Sequence, residues 1–287
     1  MKKIINSDRR TSHNPKRGYA LIILLTLVMT VAALLASCSK SPDENGVIDG
    51  IKYEYSDSLG GYVASADNTD IKRAKVLSNI DGKPVLALAN EAFKDCKQLK
   101  SIELPDSLIR VGYSAFANCD QLSYKKSGGG RYLGNSKNPY LVLASVVDED
   151  GVHALILEDG MKIIAPHAFR KNEKLVTVTF PESLEVISDE AFIDAQSILS
   201  ISLYDGVKYI GSSAFAGCIY LESVRMPNSV TEIGEGAFAG CLSLQAIEMP
   251  SGITEIKDKT FVNCFSLMIR ATDLPKNLTS IGKSAFG

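Results

Sequence analysis

Histidine is scarce in this chain: three occur in 287 residues, and one of them, His13, lies in a basic leader. The other two, His153 and His167, fall at different offsets of the pattern described below, so different faces are predicted for them and no paired acid and base emerges. Cysteine occurs six times, yet no Cys-x-x-Cys pair exists, and zinc lacks its usual ligand spacing. Gly128 to Gly130 lacks the strand, lysine and helix that a phosphate loop requires. Excess positive charge is also missing. Without residues 1–37, which hold six basic side chains and one acid, 25 basic and 32 acidic residues remain, a net of −7. Nucleic acid is therefore not an expected partner, because phosphate contacts need a basic patch. No enzymatic activity and no cofactor are predicted.

What is present is a period. Phe93, Phe116, Phe169, Phe192, Phe215, Phe238, Phe261 and Phe286 follow one another at 23, 53, 23, 23, 23, 23 and 25 residues, all but one preceded by Ala. A repeat of about 20 to 29 residues with its own strand is the signature of a solenoid, whose coils bury apolar side chains only by stacking on their neighbours. The coil from Phe215 shows every slot: Cys218, Leu221, Val224, Met226, Pro227, Val230, Ile233, Gly234 and Ala237. Leu-x-x-Val-x-Met-Pro alternates inward and outward as a short strand must, and Pro ends it by removing a ladder donor. A second short strand follows at Val230 to Ile233. Gly in the slot of Gly234 suits either positive φ or close backbone approach. Ala-Phe-x-x-Cys is predicted to make a helical turn that points the ring inward.

Cys96, Cys119, Cys218, Cys241 and Cys264 each sit three residues after a repeat Phe, while Asn172 and Ala195 take the same slot in two coils. Small size is what the slot demands. Five cannot all pair within one chain, and buried free thiols are favoured over disulfides or a metal site.

On the Leu-x-x-Ile-x-Leu-Pro and Ile-Gly-x-x-Ala-Phe-x-x-Cys elements, residues 48 to 287 resemble the BspA-like leucine-rich repeat proteins of bacterial cell surfaces. The resemblance implies an α/β-type, strand-rich leucine-rich-repeat solenoid of about eight 23-residue coils with an inserted β-hairpin. It also implies a surface-exposed or secreted protein, some relatives being adhesins that bind host proteins or other cells. A protein partner, from host matrix or a neighbouring cell, is the expectation that follows. A carbohydrate-binding accessory lipoprotein and a structural envelope scaffold are the alternatives.

The leader has its own logic. Lys2, Lys3, Arg9, Arg10, Lys16 and Arg17 precede an apolar run from Ala20 to Ala36, and Leu35-Ala36-Ser37-Cys38 closes it. A basic region, an apolar run and small residues describe a secretory signal. The ending looks like a bacterial lipobox, which makes Cys38 the expected lipidation site and the membrane a partner through that anchor, at the outer membrane or cell surface. The domain expectation is a signal peptide over 1–37, a flexible tether over 38–47, a β cap with the first coil over 48–92, and the solenoid over 93–287.

The interval of 53 equals one coil plus 30 residues. Residues 124–151 contain Ser127-Gly-Gly-Gly, Tyr132-Leu-Gly-Asn, Asn138-Pro-Tyr, a β-branched apolar stretch from Leu141 to Val147, and the acidic turn Asp148-Glu149-Asp150. An added β-hairpin is predicted, serving as a spacer or as a binding site. Arg131, Tyr132, Tyr140, Asp148 and Asp150 are its candidate binding residues. Calcium needs six or more oxygens, and a solvated acidic turn is the preferred reading of that run. Outward strand positions form two further columns: Ser101, Thr177, Ser200, Ser223 and Ala246 in one, Glu103, Thr179, Ser202, Arg225 and Glu248 in the other. Tyr113, Tyr204, Tyr209 and Tyr220 are further exposed-anchor candidates.

Overall fold

Each coil turns on two short strands, because the repeat supplies apolar residues in two bursts separated by a Pro-containing turn. The computed structural model describes residues 42–147 and 153–287, which form one unit. The first burst makes three-residue front strands: Ala154–Ile156 pairs parallel with Thr177–Thr179, and Ser200–Ser202 with Ser223–Arg225 and then Ala246–Glu248. Their registers advance by one coil, Ala154 opposite Thr177 and Ser223 opposite Ala246. The second burst makes side strands, in which Ile163–Ile164, Val186–Ile187, Tyr209–Ile210 and Glu232–Ile233 are parallel neighbours. Both columns of outward front-strand residues are exposed and the residue between them is turned inward, as strand alternation requires.

The Ala-Phe-x-x-Cys corner differs from expectation. It is not helical, and among the described residues no α-helix occurs, the one helical segment being a single 3-10 turn at Ala271–Asp273. Instead two residues per coil take positive φ, two before and two after the Phe: Glu190 and Asp194 at 56° and 57°, Lys259 and Asn263 at 55° and 60°. These bends turn successive N–H groups along the spiral, so Phe215 N–H donates to Ala237 carbonyl oxygen at 2.7 Å instead of closing a helix. The backbone of each corner is satisfied by the next coil. The ring points inward as predicted. Phe rings in successive coils stack nearly parallel at centroid separations from 4.1 Å (Phe169 and Phe192) to 5.8 Å (Phe93 and Phe116).

The Cys slot holds more than a small volume. Cys119, Cys218, Cys241 and Cys264 each direct a thiol at the carbonyl oxygen of the Phe one coil back, at 2.9, 3.3, 3.2 and 3.1 Å. All five described cysteines are free. Burial pushes Cys119 up to about 11 and Cys218 up to about 12, so both remain thiols near neutrality and neither is an activated nucleophile. Asn172, in the same slot, is buried and accepts the N–H groups of Lys174 and Leu175 through its side-chain oxygen.

The glycine slot is explained by proximity. A Cβ on Gly112, Gly211, Gly234 or Gly282 would lie 2.2 to 2.4 Å from backbone of the preceding coil, and none of these four has positive φ.

The insertion forms the predicted β-hairpin, built into the sheet of side strands. Lys125–Ser127 and Gly130–Leu133 pair antiparallel around the positive-φ turn Gly128–Gly129, Gly130–Leu133 pairs antiparallel with Val142–Val146, and Val142–Val146 continues parallel into Ile163–Ile164. The insert is thus the edge of the side-strand sheet. It also interrupts the core. One cluster gathers Phe93 with residues before the insert, and the other runs from Phe169 to Phe261. Ile164, Ile187 and Ile210 face the second core, whereas Ile163 and Val186 belong to the first. The early coils therefore lie against the outer face of the later side strands.

At the N-terminal side, Val47–Ile48, Ile51–Ser56 and Gly61–Ala66 form an antiparallel meander, and Gly61–Ala66 then pairs parallel with Lys83–Leu88.

Candidate functional site

The insertion candidates separate once placed. Tyr132, expected as an exposed anchor, is fully buried, its ring edge-to-face with Tyr140 at 5.4 Å. Burial holds its phenol up at about 12. Gly130 makes room for it, since a Cβ there would fall 2.5 Å from the Tyr132 ring. Tyr132 is a core residue, and the expectation of an exposed aromatic there is corrected. Tyr140 is half-buried and packs on the same core. Arg131 is half-buried, and its Nε finds no hydrogen-bond partner among the described residues. Asp148, Asp150 and the lipidation candidate Cys38 lie outside the described residues. Alternation gave a local hint for Tyr132, because Tyr132 and Gly130 share one strand face.

The early coils leave a cleft of about 880 Å³ where they meet the later side strands. Ile109, Arg110 and Tyr113 line it from one side, Val186, Asp189 and Tyr209 from the other. Its floor is apolar: Val186 is buried there, because the outward position of a side strand is covered by the neighbouring coils. Its walls are ordered by polar pairs. Tyr209 donates its hydroxyl to Asp189 Oδ1 at 3.0 Å, and the Ser212 N–H donates to the same oxygen at 2.8 Å. Burial, followed by the Asp189 charge, holds the Tyr209 phenol well above its usual range, so it stays protonated and keeps donating. Glu185 sits between Lys162 and Lys208 at 3.4 and 3.3 Å. His167 is 2.8 Å from Glu190, and its ring meets the Tyr113 ring edge-on at 4.5 Å, which joins the two sides of the insertion.

Sequence reasoning missed this cleft. Its facing walls are far apart in the chain, Tyr113 and Val186 by 73 positions and Ile109 and Tyr209 by 100, and they meet across the insert. A signal did exist in the outward side-strand column, which reads Ile163, Val186 and Tyr209 before turning to Glu232, Glu255 and Ser280. Apolar residues on a face that should meet water announce a cover.

The two other surfaces are simpler. On the front strands Ile156 is 73% exposed in the outward column that continues with Thr179, Ser202 and Arg225. Tyr204 and Tyr220 are exposed as well. Among the described residues no group of three or more His, Cys, Asp or Glu side chains could hold a metal ion, and no helix is long and apolar enough to cross a membrane.

Comparison with known proteins locates the chain. The family model for the BspA type leucine rich repeat region matches six copies over residues 76–128 and 149–268, stopping and restarting at the insertion. Among solved structures, the T. pallidum leucine rich repeat protein is 24% identical over 85% of this chain and 86% of its own, with a TM-score of 0.41. A leucine-rich repeat protein from Eubacterium ventriosum ATCC 27560 is 14% identical over 84% of this chain and 93% of its own, with a TM-score of 0.47. A leucine rich cell surface protein from Faecalibacterium prausnitzii A2-165 is 20% identical over 86% of each chain, with a TM-score of 0.31. No curated protein matches. Because the repeat model spans more than half of the chain, this protein belongs to the BspA type leucine rich repeat family.

Proposed function

We propose that the chain is a lipid-anchored, non-enzymatic bacterial surface protein that binds another protein through the outward face of its front strands. Ile156 carries this reading. Its large apolar side chain is 73% exposed on the outer face of a strand, in a column of small and polar residues along which a partner can lie flat and cover it. Thr179, Ser202 and Arg225 extend the face along the spiral, and exposed Tyr204 lies just beyond Ser200–Ser202. The insert borders this face at its Gly128–Gly129 turn, where a Cβ on Gly128 would be 3.4 Å from the Ile156 carbonyl oxygen. The binding reading thus moves from the insert, whose Tyr132 is buried, to the strand face beside it.

Residues 42–287, immobilised and screened against extracellular-matrix proteins and intact neighbouring bacteria, are expected to retain a protein ligand. Ile156→Asp combined with Tyr204→Ala should weaken that binding at least tenfold, roughly one buried anchor's worth. A ligand held equally well by the double variant, with unchanged circular dichroism, refutes the front-strand site.

The anchor rests on Leu35-Ala36-Ser37-Cys38 after the apolar run. Metabolic labelling with a fatty-acid analogue should mark the wild-type protein, and Cys38→Ala should lose the label and accumulate as the longer precursor. Label retained in the variant overturns the assignment.

A further inference from the structure

The cleft between the early coils and the later side strands is more than a seam. Ser188 lines it but is only 4% exposed, and its hydroxyl oxygen is closed off from solvent, so the polar contacts within a ligand's reach fall to exposed side chains such as Arg110 and Asp189. Arg110, on the wall opposite Asp189, pairs with no carboxylate among the described residues. The cleft therefore offers an exposed guanidinium donor and an exposed carboxylate within a volume suited to a small ligand, which is on the order of 300 to 1,000 Å³.

The charges choose among ligand classes. Lining carboxylates outnumber the lining cations Arg110 and Lys208, so an acidic ligand meets repulsion. A cationic ligand fares no better, because Glu185, Glu190 and Glu232 are engaged by Lys208, His167 and Lys257. A neutral ligand that both donates and accepts at closely spaced positions avoids both conflicts. Asp189 offers an oxygen beyond the one already used, Arg110 offers donors, and the half-exposed Tyr113 ring with Ile109 offers an apolar surface. A pyranose has this composition: hydroxyls around its edge, each donor and acceptor, and a face of C–H groups that packs on aromatic rings.

We propose that this cleft binds a neutral oligosaccharide unit, with Arg110 and Asp189 hydrogen-bonding its hydroxyls and Tyr113 packing on its C–H face. It is a second site, separate in residues from the front-strand face, and it stands or falls independently of the protein-binding reading.

Saturation-transfer NMR on residues 42–287 tests it with maltotriose, cellotriose, tri-N-acetylchitotriose and mannotriose as neutral probes, and with a digalacturonate and a tri-lysine peptide as charged controls. At least one neutral probe should show transfer to its C–H protons, with the charged controls weaker by tenfold or more. Arg110→Ala should reduce affinity about tenfold while leaving the melting temperature unchanged, and Tyr113→Ala, whose ring also meets His167, should reduce affinity about tenfold with unchanged circular dichroism at the assay temperature. The Ile156→Asp/Tyr204→Ala protein should bind the sugar as wild type does. Silence from every neutral probe, equal binding of either charged control, or full affinity in both cleft variants overturns the proposal.

Discussion

Phe215→Ala is expected to lower the free energy of unfolding by about 3–5 kcal/mol, the range for removing a large buried aromatic side chain. The ring is fully buried and stacked on both sides, against Phe192 at 4.9 Å and Phe238 at 5.3 Å. Deleting it leaves a void that stiff neighbouring corners cannot fill, because their N–H groups are tied to the adjacent coil. Phe286→Ala should cost less, since that ring is 41% exposed and, among the described residues, stacks on Phe261 alone. Urea denaturation followed by circular dichroism compares the two. Equal midpoints for both variants would show that stacking on two sides confers nothing over stacking on one.

Gly234→Ala is expected to destabilise by about 1–3 kcal/mol, the usual cost of overpacking. The added carbon would sit 2.3 Å from the Ser212 backbone nitrogen and 2.5 Å from the Gly211 carbonyl carbon. Backbone cannot rotate aside as a side chain can, so two coils must separate and strain their shared hydrogen bonds. Gly252→Ala supplies the comparison: its nearest atom would be at 3.6 Å, an ordinary contact, and the change should stay within about 0.5 kcal/mol. Ala89, Ala165, Ser188 and Lys257 occupy the same slot as Gly234 in other coils, so the demand comes from how closely a given pair of coils approaches. A Gly234→Ala protein as stable as wild type would refute that closeness.

Much of the fold was legible because a solenoid repeats its reasons. The Phe column, the three-residue strands ended by Pro, the alternation of Thr177, Val178 and Thr179, and the free thiols follow from local pattern and period alone. The corner was misjudged for a physical cause. Ala-Phe-x-x-Cys has helical spacing, but nothing in it states that the carbonyl partners lie one coil away. The site was less legible still. Tyr132 reads as a surface residue in a loop-rich insert, and only the pairing of Gly130–Leu133 with Val142–Val146 turns its ring into the core. The cleft needs Arg110 and Tyr209 on facing walls, a meeting set by the stacking across the insert and by no short-range signal.

The one-coil register has a consequence for inheritance. Ala154 faces Thr177, Ser200 faces Ser223 and Ser223 faces Ala246, each separated by the same stretch of chain. A gene duplication or deletion spanning one such stretch after Phe238 would therefore re-form the same backbone pairs with new partners, lengthening or shortening the front face as a unit and sparing every residue that lines the cleft. The cleft is different, because it exists once, at the insertion. Descendants of such an event vary the reach of their front face while handing down the cleft unaltered.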